Sequence, residues 1–150
     1  MFSARYAVPL AAMLVWLAPV KAGDLDPAAL AFKLPAQINW VENKTSGNAI
    51  AVLAGDPTKP GIYVLMEKWY AHHNSHPHFH QNDRFITVLS GTWWVNTGAK
   101  YDPDGMVAMP PGSFVTHFGK QIHYDGAKDG DCVLEIVGMG PAAATQAEQK

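Results

Sequence analysis

Residues 72–83 read HHNSHPHFHQND, and five of the chain's seven histidines fall between His72 and His80. Within that stretch His78 and His80 form an H-x-H pair just before a hydrophobic run. On a β-strand, residues i and i+2 project from the same face, about 7 Å apart along the chain. That spacing suits two imidazole ligands of one first-row cation, and neutral imidazole suits Zn, Cu, Fe and Ni. An H-x-H pair by itself specifies little, because a polar loop that happens to be rich in histidine spells the same string. A third histidine in a defined place, His123, follows a strand-like run and a turn in GSFVTHFGKQIH and strengthens the metal reading. His72 and His73 sit in a loop-like context with Asn74 and Ser75 and read as solvated side chains. His76 precedes Pro77, which breaks any regular ladder, and His117 stands next to Phe118 where it could face inward.

These histidines have to be positioned by short β-elements, since no long helical stripe is present. β-rich runs occur at 38–41, 49–53, 62–69, 85–89, 92–96, 106–109, 114–116 and 132–137. Turn residues separate them: Gly55-Asp56-Pro57, Lys59-Pro60-Gly61, Asp102-Pro103-Asp104-Gly105, Pro110-Pro111-Gly112 and Asp125-Gly126. Strands this short at this spacing predict a sandwich or barrel. Ser90-Gly91 between two runs predicts a tight hairpin. Trp93, Trp94, Phe85, Phe114 and Phe118 are expected in the core and barrel lining. Cys132 shares a strand face with Leu134 and Ile136 and reads as a small buried core residue. As the chain's one cysteine it can form no intrachain disulfide.

Length and composition set the frame. A chain of 150 residues suits one folded domain with a proper core, and 48% apolar against 16% charged residues argues against disorder. The formal charge is −2 with no basic cluster beyond the N-terminus, which excludes nucleic acid as a natural partner. Residues 1–22 carry Arg5, an apolar run from Ala7 to Val20, and Val20-Lys21-Ala22, the layout of a cleavable signal peptide. Its apolar run is too short for a membrane span. The mature protein is therefore expected to be periplasmic or secreted, free of the membrane, and removing Arg5 and Lys21 takes its formal charge to −4. Residues 23–37 read as an N-terminal arm, in which Asp26-Pro27 could cap a short helix over 28–32. Residues 141–150 read as a flexible polar tail, leaving 38–140 as the domain.

The motifs carried by this domain resemble those of the cupins, small antiparallel β-barrels of the jelly-roll (double-stranded β-helix) type. His78, His80 and Gly91 fall into the register of the first cupin motif, and Gly112 and His123 into that of the second. The stretch between them, 92–111, has the length typical of small single-domain cupins. The likeness spans about 48–138 and is closest to exported single-domain cupins, through Val88-Leu89-Ser90-Gly91 and Gly112-Ser113-Phe114-Val115. It implies an all-β fold and a divalent transition metal, drawn from Fe, Mn, Zn, Ni and Cu, held by His78, His80 and His123.

The chain departs from the motifs in several places. Arg84 stands where the first motif has its glutamate ligand, and His72 where that motif has its leading glycine. Phe118, Lys120 and Ala127 replace the proline, glycine and asparagine of the second. Counting along the strand from His80 places Arg84 inside the barrel, where a guanidinium opposes a cation. Three arrangements follow. A three-histidine site keeps open positions, with Arg84 clamping an anionic substrate group. Alternatively His76, His117 or Asp83 completes the ligand shell. In the third, no metal binds and the histidines with Arg84 form an anion pocket; Arg84 could also pair with Asp83 or reach the barrel mouth. Two functional classes remain. One is a metal-dependent enzyme of dioxygenase, decarboxylase or isomerase type, acting on a small anionic or hydroxylated molecule with Arg84 as a catalytic-site residue. The other is a non-catalytic ligand-binding or sensor module. Family members often pair as homodimers.

Overall fold

A computed structural model of the protein describes residues 25–149. The expected signal peptide at 1–22 lies outside them. Near the start of this range, the Asp26 carboxylate accepts the Ala28 amide at 2.9 Å, and the Asp26 carbonyl accepts the amides of Ala29 and Leu30. The expected cap is therefore made, but the chain closes a single turn and not a helix. Five residues ended by Pro35 are too few to repay helix nucleation.

From Lys33 onward the chain is β-structure apart from one 3-10 turn at Pro35–Gln37. Twelve strands follow: β1 (Val41–Asn43), β2 (Asn48–Ala54), β3 (Gly61–Trp69), β4 (His73–Asn74), β5 (His78–His80) and β6 (Arg84–Ser90). Then come β7 (Trp93–Thr97), β8 (Val107–Met109), β9 (Phe114–His117), β10 (His123–Ala127), β11 (Cys132–Gly140) and β12 (Ala144–Gln146). They form two antiparallel sheets, one ordered β1-β2-β3-β11-β6-β9 and the other β12-β5-β10-β7-β8, with β4 also pairing β10. The all-β jelly roll expected from the sequence is present.

The core lies between the sheets. Strands β3 and β11 alternate strictly, so Tyr63, Leu65 and Trp69 join Cys132, Leu134 and Ile136 on the inner face, with Ile86, Val88 and Trp93 packed against them. Burying this set removes apolar surface at about 25 cal/mol per Å2 and is the main driving force for the fold. Cys132 is fully buried among these residues, and burial pushes its thiol up to about 12, as expected of an inert core residue.

Several expectations are corrected. Ser90-Gly91 is no hairpin: β6 pairs β11 and β9, while β7 pairs β10 and β8, so the turn carries the chain from one sheet to the other. Gly91 has φ +69°, and a side chain there would collide with the Asp131 carbonyl. Asp125-Gly126 is no turn but the buried centre of β10; Gly126 is needed because the backbone of β4 crosses where a Cβ would sit. Phe85, Phe114 and Phe118 do not line the barrel. They are 45%, 65% and 62% exposed, with Phe85 and Phe114 stacked on the outer face, because on β6 the inner positions belong to Arg84, Ile86 and Val88. Finally, the polar tail supplies β12, which adds an edge strand beside β5. Its short polar sequence carries no burial pattern, so only the ladder defines it.

Candidate metal centre and its cavity

His78 and His80 project from one face of β5, and both are buried. His123 opens β10 directly opposite His78 in the antiparallel ladder. The three rings converge, with centroids 5.1 Å apart for His78–His80, 4.6 Å for His78–His123 and 5.6 Å for His80–His123. One ligand atom from each ring can be chosen so that all three lie within 4.8 Å of one another, the compass of a single ion.

Backbone carbonyls decide which ring nitrogens are free. His78 Nδ1 lies 2.8 Å from the His76 carbonyl, His80 Nδ1 3.0 Å from that of Ala142, and His123 Nδ1 3.0 Å from that of Gln121. A carbonyl only accepts, so each Nδ1 carries the hydrogen and donates it, leaving Nε2 with a free lone pair. The Nε2 atoms of His80 and His123 are buried without any partner. Buried polar atoms rarely stay unsatisfied, and three lone pairs aimed at one point, each ring fixed by its other nitrogen, are the usual dress of a histidine-bound metal. Burial, with smaller contributions from Arg84 and the neighbouring rings, holds His80 and His123 down to about 3 and lowers His78. All three are neutral at pH 7, as ligation requires.

Of the other candidates, His76 and Asp83 lie away from the three rings and His117 lies beside them. His76 is exposed, bonded to the Glu148 carboxylate at 2.9 Å and stacked on Tyr101. Asp83 is exposed and accepts the Gly119 amide at 2.7 Å, stitching the turn before β6 to the loop before β10. His72 and His73 are exposed, as expected. His117 is buried and lies 3.7 Å, ring to ring, from His123. However, its Nδ1 faces the Arg84 guanidinium at 3.4 Å. One ligand atom each from His117, His123 and Asp125 can also be chosen to lie within 4.8 Å of one another, so His117 stands beside the three-histidine site.

Arg84 lies on β6 across from His117 in β9. It faces the cavity, but not through the strand count expected from His80. β5 and β6 belong to different sheets, and Arg84 is inward because it shares a face with Ile86 and Val88. Among the described residues it pairs with neither Asp83 nor any other carboxylate, and its Nε–H is buried without a partner.

Two acidic residues were not singled out from the sequence. Glu67 occupies an inner position of β3 between Leu65 and Trp69, and Asp125 lies two residues beyond His123; both are buried. Glu67 accepts the Asn48 amide at 2.7 Å. Burial and the nearby Asp125 charge push Glu67 up to about 7. Burial likewise raises Asp125 to about 6, against the pull of Arg84 and of the nearby Trp93 and Trp69 side chains. A charged residue on the apolar face of an alternating strand was the signal available for Glu67. Asp125 was hidden by its glycine neighbour. His78, His80, Arg84, Glu67, Asp125 and Asn48 all line one cavity of about 1110 Å3, walled also by residues 141–144, Gln146 and Glu148.

No family model matches the sequence, and no curated protein does. Solved structures do match. The polyketide cyclase RemF from Streptomyces resistomycificus superposes with a TM-score of 0.66 at 14% identity, over 81% of this chain and 87% of that one. A cupin-2 domain protein from Rhodospirillum rubrum gives 0.58 at 14% identity, covering 77% of this chain and 78% of its own. An RmlC-like cupin from Shewanella frigidimarina gives 0.58 at 14%, covering 74% and 90%. The chain has the cupin fold. At these identities the likeness concerns architecture, and the cupin-type site rests on the geometry of the histidines themselves.

Proposed function

We propose that this cupin-fold protein binds a divalent transition metal through the Nε2 atoms of His78, His80 and His123 and acts on a small anionic or hydroxylated molecule in the adjoining cavity. The observation that carries this reading is the convergence of three Nε2 lone pairs, two of them buried without partners, while every Nδ1 is occupied by a carbonyl. A bound ion would supply Lewis acidity or a centre for oxygen, and three protein ligands leave positions open for substrate. Arg84 holds an anionic group of the substrate by charge-assisted hydrogen bonds from the guanidinium hydrogens that His117 does not take. Glu67 and Asp125, with pKa values near neutrality, are the groups able to hold or release a proton there. A polyketide cyclase among the structural neighbours supports small-molecule chemistry on this fold, while the reaction type, whether dioxygenase, decarboxylase or isomerase, rests on the fold alone.

A second reading is a binding or sensor module that does not turn over its ligand. Arg84 favours it, because the arginine stands where the cupin motif has a carboxylate ligand. The site of action in either case is the periplasm or the exterior, on the strength of residues 1–22. The test is metal analysis of protein expressed without those residues, beside His78→Ala and His123→Ala, followed by substrate-dependent oxygen uptake and product analysis. Near-stoichiometric metal lost in both variants supports the reading, and turnover separates enzyme from binder. A metal-free wild-type protein whose stability matches both variants removes it.

A further inference from the structure

The cavity wall on β2 and β3 carries a polar pair that the metal reading does not use. Asn48 and Glu67 stand on the inner face at the open side of the first sheet, each less than 10% exposed. Asn48 Nδ2 donates to Glu67 Oε1 at 2.7 Å, which fixes the amide so that its Oδ1 is turned away from that bond. Oδ1 is buried and has no partner. A buried amide oxygen left unpaired costs about 1–3 kcal/mol, and both Asn48 and Glu67 belong to the wall of the cavity. Among the described residues the second carboxyl oxygen of Glu67 has no hydrogen-bond partner either. Two oxygen acceptors therefore stand side by side, looking into the same space as the His78 and His80 rings and Arg84.

Adjacent acceptors read hydrogen-bond donors. An apolar ligand would leave both unpaired. Arg84 offers the opposite chemistry, an unpartnered Nε–H in the same cavity. We propose that Asn48 and Glu67 form a hydroxyl-reading subsite, and that the ligand class of this cavity is a polyhydroxylated carboxylic acid. Its carboxylate is held by Arg84, and a hydroxyl donates to Asn48 Oδ1 and Glu67. The assignment rests on the cavity being the functional site, and it deepens that reading by naming what the cavity takes. A site built to bond a hydroxyl discriminates strongly against the analogue lacking it, because its own polar atoms are then left unpaired.

The probes are gluconate and hexanoate, acids of equal chain length with and without hydroxyls. Calorimetric titrations at pH 7.5 compare the wild type with Glu67→Gln and Asn48→Ala, each as purified and after chelator treatment, with metal content measured on the same samples. Wild type is expected to bind gluconate at least tenfold more tightly than hexanoate. Either substitution is expected to bring that preference to within about threefold, and Asn48→Ala, which leaves every charge of the cavity in place, is expected to keep hexanoate affinity and metal content as in wild type. Unchanged hexanoate binding by Asn48→Ala shows that this variant folds and keeps Arg84 in place. Gluconate preference that survives both substitutions, equal binding of the two acids by wild type, or no gluconate binding overturns the proposal. Absence of metal from wild type defeats only the metal reading, since the preference is read in the chelator-treated protein as well.

Discussion

Replacing Glu67 by Gln tests the electrostatics of the cavity through stability. The carboxyl is buried on β3, and its pKa rises from the ordinary 4.5 to about 7. Between those values the folded protein keeps a proton that the unfolded chain has already released. Glu67 therefore costs stability progressively as pH rises through this window, and the full cost is present above about pH 7. Each pH unit of the gap corresponds to about 1.36 kcal/mol, so the ceiling is about 3 kcal/mol. Asp125 is raised by the same burial and shares the penalty, which brings the expected figure nearer 2 kcal/mol. Glutamine keeps the shape and the acceptor for Asn48 but cannot ionise. Relative to wild type, Glu67→Gln should gain about 2 kcal/mol between pH 5 and pH 8. The buried histidines act with the opposite sign. His80 and His123, lowered to about 3 in the fold, lose stability for the protein as pH falls below 6.5, but they are common to both proteins and cancel in the difference. Urea denaturation of chelator-treated protein across that range measures it. A stability difference that stays flat with pH would refute the assignment of Glu67 as a buried, near-neutral acid.

Arg84→Glu should tighten metal binding by roughly tenfold or more, because a cation facing the three rings is replaced by an anion; competition with a chromophoric chelator reads it, and unchanged affinity would place the guanidinium too far away to matter. Deleting residues 143–150 removes β12 and its pairing with His78, Phe79 and His80, so metal loss to a chelator should accelerate at least tenfold in stopped-flow traces, while an unaltered rate would mean the strand does not cover the site. Glu148→Gln breaks only the exposed contact with His76 and should change stability by less than about 1 kcal/mol and metal content not at all; metal loss in that variant would bring His76 back as a ligand. Ile86→Ala, at a fully buried position between the sheets, should cost about 2–5 kcal/mol by denaturation without altering metal stoichiometry in the folded protein.

What could be read in the sequence follows from how local each signal was. The strands β3 and β11 announce themselves by alternation, and His78 and His80 by their two-residue period. His123 joins them because a turn and a ladder bring β10 beside β5, a relation legible only through the motif likeness. The errors share one cause. Asp125-Gly126 has the composition of a turn, yet its glycine serves the passage of β4, a contact made by residues fifty positions away. Phe85 and Phe114 look like core, but on β6 the inner face is claimed by Arg84, Ile86 and Val88. The tail from Pro141 carries no pattern at all, and it is ordered by hydrogen bonds to the strand that holds the histidines. Glu67 was visible as a charge among Tyr63, Leu65 and Trp69, and that misfit is what a functional wall looks like in a strand.

The central claim is that three Nε2 atoms face one ion. Crystals of protein expressed without residues 1–22, soaked with Zn, Mn or Ni and measured at the absorption edge, test it most directly. The account predicts one strong anomalous peak about 2.0–2.2 Å from Nε2 of all three histidines, with each Nδ1 still bonded to its carbonyl. Anomalous maps with no peak there, or with the ion held elsewhere or through Nδ1, would contradict it.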